Sequence, residues 1–235
     1  MTKRDREKTK DKNRQPADQP DNNLPEQNLF PVVGVGASAG GLEALEQFIS
    51  GLPEKSGIAF VIVTHTHPDH PTRIPELLRQ RTGVKIVLIE DGMTVETDTV
   101  YVPPSARDTI LENGVLRLQE RPRGSHVHMP VDMFLKSLSK ERGGRAGCVI
   151  LSGTGTDGTG GLRLIKEKGG VAVAQDQKSA RHAGMPASAI ETGMVDYVLT
   201  PQKIADQLIA YFRHPAAMKS GTRENNEFTE HQIGR

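Results

Sequence analysis

The feature that most limits how this chain can fold is a repeated change of period, from short apolar runs to apolar residues at helical spacing and back. Pro31-Val32-Val33-Gly34-Val35 suits a strand buried on both faces. A helix from about Gly40 to Gly51 follows, with Leu42, Leu45, Phe48 and Ile49 on one face, and then the run Ile58-Ala59-Phe60-Val61-Ile62-Val63. That order is the βαβ signal, and such units assemble parallel sheets covered by helices. The alternation continues through a helix at 72–81, the run Val84 to Ile89, a helix opened by Pro130 and closed by Gly143-Gly144, and a strand at 146–151. A helix containing Leu162, Leu164 and Ile165, the strand Val171 to Ala174, a helix beginning at Pro186, the strand Val195 to Leu199 and a last helix from Pro201 complete it. Between these, Val100-Tyr101-Val102 is a short extended piece, and the apolar stretches on either side of Asn113-Gly114 predict a β-hairpin. The expected fold is α/β: a doubly wound, mainly parallel sheet with helices on both faces and an antiparallel β-hairpin excursion, a Rossmann-like three-layer arrangement.

At 235 residues the chain suits one domain of roughly 150 to 200 residues with polar ends. Residues 1–29 have almost no large apolar side chains and are expected to form a disordered arm; 30–213 form the folded domain, and 214–235 a flexible polar tail. Thirty basic residues against 29 acidic ones give a net charge of +1, which argues against nucleic acid as a partner. The single cysteine, Cys148, lies in an apolar run, so no intrachain disulfide forms and a reduced compartment fits. No stretch approaches the ~18 apolar residues of a membrane span, so no membrane insertion and a cytoplasmic location are expected.

Three polar clusters follow the apolar runs: Gly36-Ala37-Ser38-Ala39-Gly40-Gly41, Thr64-His65-Thr66-His67, and Gly153-Thr154-Gly155-Thr156-Asp157-Gly158. Residues just past the carboxyl ends of parallel strands converge in one crevice, so Ser38, His65 and Asp157 can meet although distant in sequence. A serine hydroxyl needs a base to take its proton, and an imidazole works best when a carboxylate fixes its tautomer. The three residue types fit a hydrolytic triad. Taken singly, Ser38 would cap the following helix, His65 would be a satisfied strand-end residue, and Asp157 would cap a helix or bind a loop amide.

Two other motifs compete. Gly34-Val35-Gly36-Ala37-Ser38-Ala39 fits a dinucleotide-binding turn, but the next strand ends in Thr64-His65 where an acidic residue would hold the ribose. His65-Thr66-His67-Pro68-Asp69-His70 has the form of the zinc ligands of metallo-β-lactamase-like hydrolases, with His126 or His128, Asp157 and His182 as distal ligands. That zinc fold is a sandwich of mainly antiparallel sheets, unlike the βα units read here.

The three clusters, with Tyr101-Val102-Pro103-Pro104, Pro130-Val131-Asp132, Gln175-Asp176 and Gly184-Met185-Pro186 in order between and after them, resemble the CheB family of protein-glutamate methylesterases over about 30–212. The resemblance implies hydrolysis of glutamate γ-methyl esters on chemoreceptors, releasing methanol, with deamidation of receptor glutamines as a related activity. It implies Ser38 as nucleophile, His65 as general base and then acid, and Asp157 as the orienter of the histidine, with no metal or organic cofactor. Backbone N–H groups near Ala39 and Gly40, at a helix start, are candidate oxyanion donors. Thr154 stands where that family usually has a methionine that helps the oxyanion site, and Thr64 stands in place of its usual glutamine, so substrate positioning is expected to differ.

The family's chemotaxis enzymes also carry a receiver domain, and residues 1–29 are too short and polar to fold as one. The Leu151-to-Gly158 stretch and Gly160-Gly161-Leu162-Arg163 look more like methylesterase modules fused to a methyltransferase. Expected partners are therefore the cytoplasmic domains of methylated chemoreceptors and a separate methyltransferase or regulator acting in trans. The alternatives are the zinc-dependent hydrolase and a catalytically silent, receptor-binding module.

Overall fold

The structure, a computed structural model, describes residues 30–64, 72–121 and 128–214. The arm assigned to 1–29, and the tail assigned to 214–235 apart from His214, lie outside the described residues. Seven strands form one sheet in the order β10-β9-β8-β1-β2-β5-β3, every neighbouring pair parallel. The central four are β1 (Val32–Ala37), β2 (Ala59–Thr64), β8 (Ala146–Ile150) and β5 (Thr99–Val102). The flanking strands are β3 (Lys85–Leu88), β9 (Val171–Gln175) and β10 (Tyr197–Leu199). The chain runs outward from β1 to one edge and then returns to its other side through β8. The carboxyl end of β1 is thus a switch point of the topology, where crevices form in open α/β sheets.

Side chains alternate across the sheet and feed two cores. Val33 and Val35 of β1 point toward α1 (Gly41–Ser50), α2 (Ile74–Arg79) and α6 (Pro201–Arg213). The opposite face packs on α3 (Pro130–Arg142), α4 (Thr159–Glu167) and α5 (Gly184–Glu191). On that face β1 presents Gly34 and Gly36 in place of larger residues. A Cβ on Gly34 would fall 2.6 Å from Leu135 Cδ2, and one on Gly36 2.5 Å from Val131 Cγ1, so α3 sits directly on the backbone of β1. This close approach brings the first turn of α3 to the carboxyl end of the sheet.

The expected doubly wound α/β fold is present, with differences of detail. β1 and β2 run to Ala37 and Thr64, into the polar clusters, because both remain paired there. Leu42, placed by its spacing on the buried face of α1, is 39% exposed. The buried stripe is Gly41, Ala44, Leu45, Phe48 and Ile49, so Leu45, Phe48 and Ile49 are where their spacing put them and only Leu42 lies off the stripe. The piece at 100–102 is an inner strand of the main sheet, between β2 and β3. α5 begins at Gly184, two residues before Pro186, since a proline in a first turn forfeits no intrahelical bond. The hairpin pairs β6 (Arg107–Glu112) with β7 (Val115–Glu120) across Asn113 and Gly114, at φ 52° and 75°. A two-residue strand, β4 (Met93–Thr94), makes it a separate three-stranded sheet. No helix among the described residues is long and apolar enough to cross a membrane.

Candidate active site

Ser38 follows the last residue of β1. Its N–H donates to the Ser152 carbonyl at 3.0 Å, and its own carbonyl accepts the N–H of Gly41 at 2.8 Å. The four residues 38–41 form a tight turn with Gly40 at φ 67° and ψ 6°. A positive φ at the third position after a negative one defines a type II turn, which calls for glycine there. α1 then starts at Gly41 with no side-chain cap, so the Ser38 hydroxyl does not cap it. The N–H groups of Ala39 and Gly40 meet no backbone acceptor among the described residues. Both lie at a helix N-terminus, where the dipole favours negative charge. Ala39 is exposed, and Ser38 and Gly40 are half-buried.

The loop after β8 closes the other side. A Cβ on Gly153 would meet Met185 Sδ and stand 3.0 Å from Ser38 Cβ, so glycine leaves room for the serine there. Thr154, Gly155 and Thr156 are exposed beside it, and Asp157 turns back inward, 5% exposed. Its carboxylate accepts the N–H of Val131 at 3.0 Å and that of Asp132 at 2.9 Å. These are first-turn donors of α3, whose N-cap, Met129, supplies no capping side chain. Asp132 Oδ1 in turn accepts the N–H of Gly161 at 2.7 Å in the first turn of α4, whose N-cap, Gly158, has no side chain to offer. The two helices are thus capped reciprocally, each by an aspartate belonging to the other's start. Burial pushes the Asp132 carboxyl above the ordinary carboxylate range, with the neighbouring Asp157 charge adding to it, against the N–H of Gly161 that favours the charged form.

Of the residues expected at the site, the structure brings Ser38, Ala39 and Gly40 to the end of β1, and Thr154 and Asp157 to the end of the adjacent strand β8. His65 lies outside the described residues. Its predecessor Thr64 is paired with Ala37, so β2 leaves the sheet level with the start of the Ser38 turn. The Thr64 hydroxyl is buried and has no hydrogen-bond partner among the described residues.

The metal-type motif at 65–70 and His126 also fall outside the described residues. His128 directs Nε2 at Asp108, 2.9 and 2.8 Å from its two oxygens, and its backbone lies just before α3. His182 is exposed, with Cδ2 2.9 Å from where a Gly40 Cβ would stand. Two participants carried no sequence signal of their own: Ser152, a fully buried hydroxyl at the end of β8, and Asp132, legible only as part of Pro130-Val131-Asp132.

Comparison with known proteins places this geometry. The family model described as CheB methylesterase matches residues 33–208. A protein-glutamate methylesterase/protein-glutamine glutaminase of Anaeromyxobacter dehalogenans is 34% identical over 183 residues, 76% of this chain and 51% of that one. A Pyrococcus abyssi protein of the same name is 32% identical over 181 residues, covering 75% and 49%. An uncharacterised 104.1 kDa protein of Rhodobacter capsulatus is 42% identical over 135 residues, 57% of this chain but 14% of that one. The chain spans about half the length, or less, of these relatives. Among solved structures, the Thermotoga maritima CheB methylesterase catalytic domain superposes with a TM-score of 0.72 at 31% identity, covering 78% of this chain and 99% of that one.

Proposed function

The chain belongs to the CheB methylesterase family, and from that premise we propose that it hydrolyses glutamate γ-methyl esters on the cytoplasmic domains of chemoreceptors, by a triad of Ser38, His65 and Asp157. The observation that carries the reading is the junction of two strand ends. Ser38 sits in a turn with two N–H groups that meet no backbone acceptor among the described residues, and the loop after the neighbouring strand brings a buried, oriented carboxylate. His65 takes its role from the family resemblance and from its place directly after Thr64 on the other neighbour of β1.

In this mechanism His65 removes the proton from Ser38 Oγ as the oxygen attacks the ester carbonyl. Negative charge gathers on the carbonyl oxygen, and the N–H groups of Ala39 and Gly40 are the donors assigned to receive it, with Thr154 helping to position the substrate. Collapse expels methanol, which takes the proton from His65, and water then releases the glutamate from Ser38. A glutamine side chain would follow the same path with ammonia leaving. No metal or organic cofactor enters the scheme. A methyltransferase or regulator acting in trans is the expected further partner.

The test is methanol release from methyl-esterified receptor cytoplasmic fragments by the wild-type chain, with and without chelator, and by Ser38→Ala. Loss in Ser38→Ala alone supports the reading. Survival of activity in that variant, with loss on chelation, overturns it in favour of metal chemistry at His65, His67, Asp69 and His70.

A further inference from the structure

Ser152 is fully buried, outside the proposed triad, and bonded to three segments at once. Its carbonyl accepts the Ser38 N–H at 3.0 Å. Its hydroxyl lies 3.0 Å from the Ala39 carbonyl and accepts the His182 N–H at 3.0 Å, with the His182 carbonyl farther off at 3.4 Å. Its own N–H donates to Gln175 Oε1 at 2.8 Å. A hydroxyl has one proton to give, and the shorter contact assigns it to Ala39.

We infer that Ser152 is a positioning residue for the oxyanion donors. The inference rests on the esterase reading of Ser38 and deepens it. A type II turn differs from a type I turn chiefly in the orientation of its middle peptide, here Ala39 C=O with Gly40 N–H. Because a trans peptide is planar, its carbonyl and N–H point in opposite directions. Drawing the Ala39 carbonyl inward onto the buried Ser152 hydroxyl therefore turns the Gly40 N–H outward, away from the interior. The Ser38 N–H and the Ala39 carbonyl are held by the same residue, so the nucleophile and the Ala39 N–H lie between two fixed points. Gly40 would otherwise let this peptide rotate at little cost. Without the hydroxyl, the turn retains its 38-to-41 bond, which both turn types share, but loses what selects the orientation.

The experiment compares wild type, Ser152→Ala and Ser152→Thr, with Ser38→Ala as the zero. Each is assayed on methyl-esterified receptor fragments and on p-nitrophenyl acetate, an ester whose hydrolysis needs the same donors whatever the natural substrate. Ser152→Ala is expected to lower kcat and kcat/KM together by about 10- to 100-fold with KM changed less than about 3-fold, the pattern of an interaction made only in the transition state. Its affinity for a boronate that captures Ser38 as a tetrahedral adduct falls by a similar factor, and Ser152→Thr, which keeps the donor, recovers most of the rate.

Wild-type kcat in a folded Ser152→Ala overturns the inference, as does a loss confined to KM. Should Ser152→Ala fail to fold, a folded Ser152→Thr decides: near-native kcat sustains the inference and a loss as large as that of a deleted donor overturns it. Absence of receptor methanol release by the wild type, with Ser38-dependent p-nitrophenyl acetate hydrolysis intact, refutes the proposed substrate and leaves the Ser152 comparison readable.

Discussion

Asp157→Ala should destabilise the domain as well as silence it, because the residue holds α3 in place. Two N–H groups lose their acceptor. Val131 is fully buried, so its N–H finds no water in exchange, and a buried donor left unmade costs about 1–3 kcal/mol. Asp132 is half-buried, so its N–H can be hydrated, and losing the bond there costs about 1 kcal/mol. Relief of the repulsion between the two aspartates offsets a small part of this. Before that offset the loss is about 2–4 kcal/mol, which at a urea dependence of about 2 kcal/mol per molar moves the unfolding midpoint down by about 1–2 M. Far-UV circular dichroism in urea measures it. A midpoint within about 0.3 M of wild type, with unchanged slope, would refute the capping role. Asp157→Asn separates the two functions: one acceptor oxygen remains, so about half the destabilisation is expected, while hydrolysis falls about 10⁴-fold if the residue also orients a catalytic histidine.

Gly36→Ala places a methyl 2.5 Å from Val131 Cγ1 beneath a helix that rests on the strand. An overpacking loss of about 1–3 kcal/mol is expected, with reduced esterase activity as the Val131 N–H is pushed from Asp157; an unchanged melting temperature would refute it. Asp132 has a folded pKa above its unfolded one, so its contribution is fully present below the ordinary carboxylate range and is lost as pH rises through the folded value. The stability of wild type relative to Asp132→Asn is therefore expected to decline from about pH 4 upward, and urea midpoints of both at pH 4 and 7 measure it; a difference that grows in favour of wild type would contradict the sign.

The fold was legible because its signals are local and redundant. Each strand of the main sheet is an apolar run, Asn113-Gly114 specifies a hairpin turn through two residues at positive φ, and Pro130 and Pro201 each open a helix. The two-residue β4 exists only through its pairing with β7 and has no run to read. Leu42 misled because it lies at helical spacing from the buried Leu45 and Ile49, while the small Gly41 and Ala44 that belong to the buried stripe are weak apolar signals. At the site, Ser38 and Asp157 could be nominated from their places after strands. Ser152 and Asp132 could not, because their roles lie in bonds to backbone groups far along the chain, from Ser152 to Ala39 and from Asp132 to Gly161.

The sequence set a helix cap and a triad carboxylate against each other as accounts of Asp157; the geometry shows the cap, and the proposed triad role is compatible with it. An ionised carboxylate offers about four lone-pair directions, and the two bonds from α3 use one on each oxygen. Those bonds fix the plane of the group, and an orienting residue is useful only if its own orientation is set. The helix it caps is held by Gly34 and Gly36 against β1, the strand that leads into Ser38, and Ser152, five residues before Asp157, clamps the Ser38 turn. Ser38 and Asp157 are thus referred to the same two strands through short connections. A substitution that loosens α3 should therefore appear as a loss of kcat before it appears as a loss of fold, since positioning fails over displacements of about 1 Å that the core can still absorb.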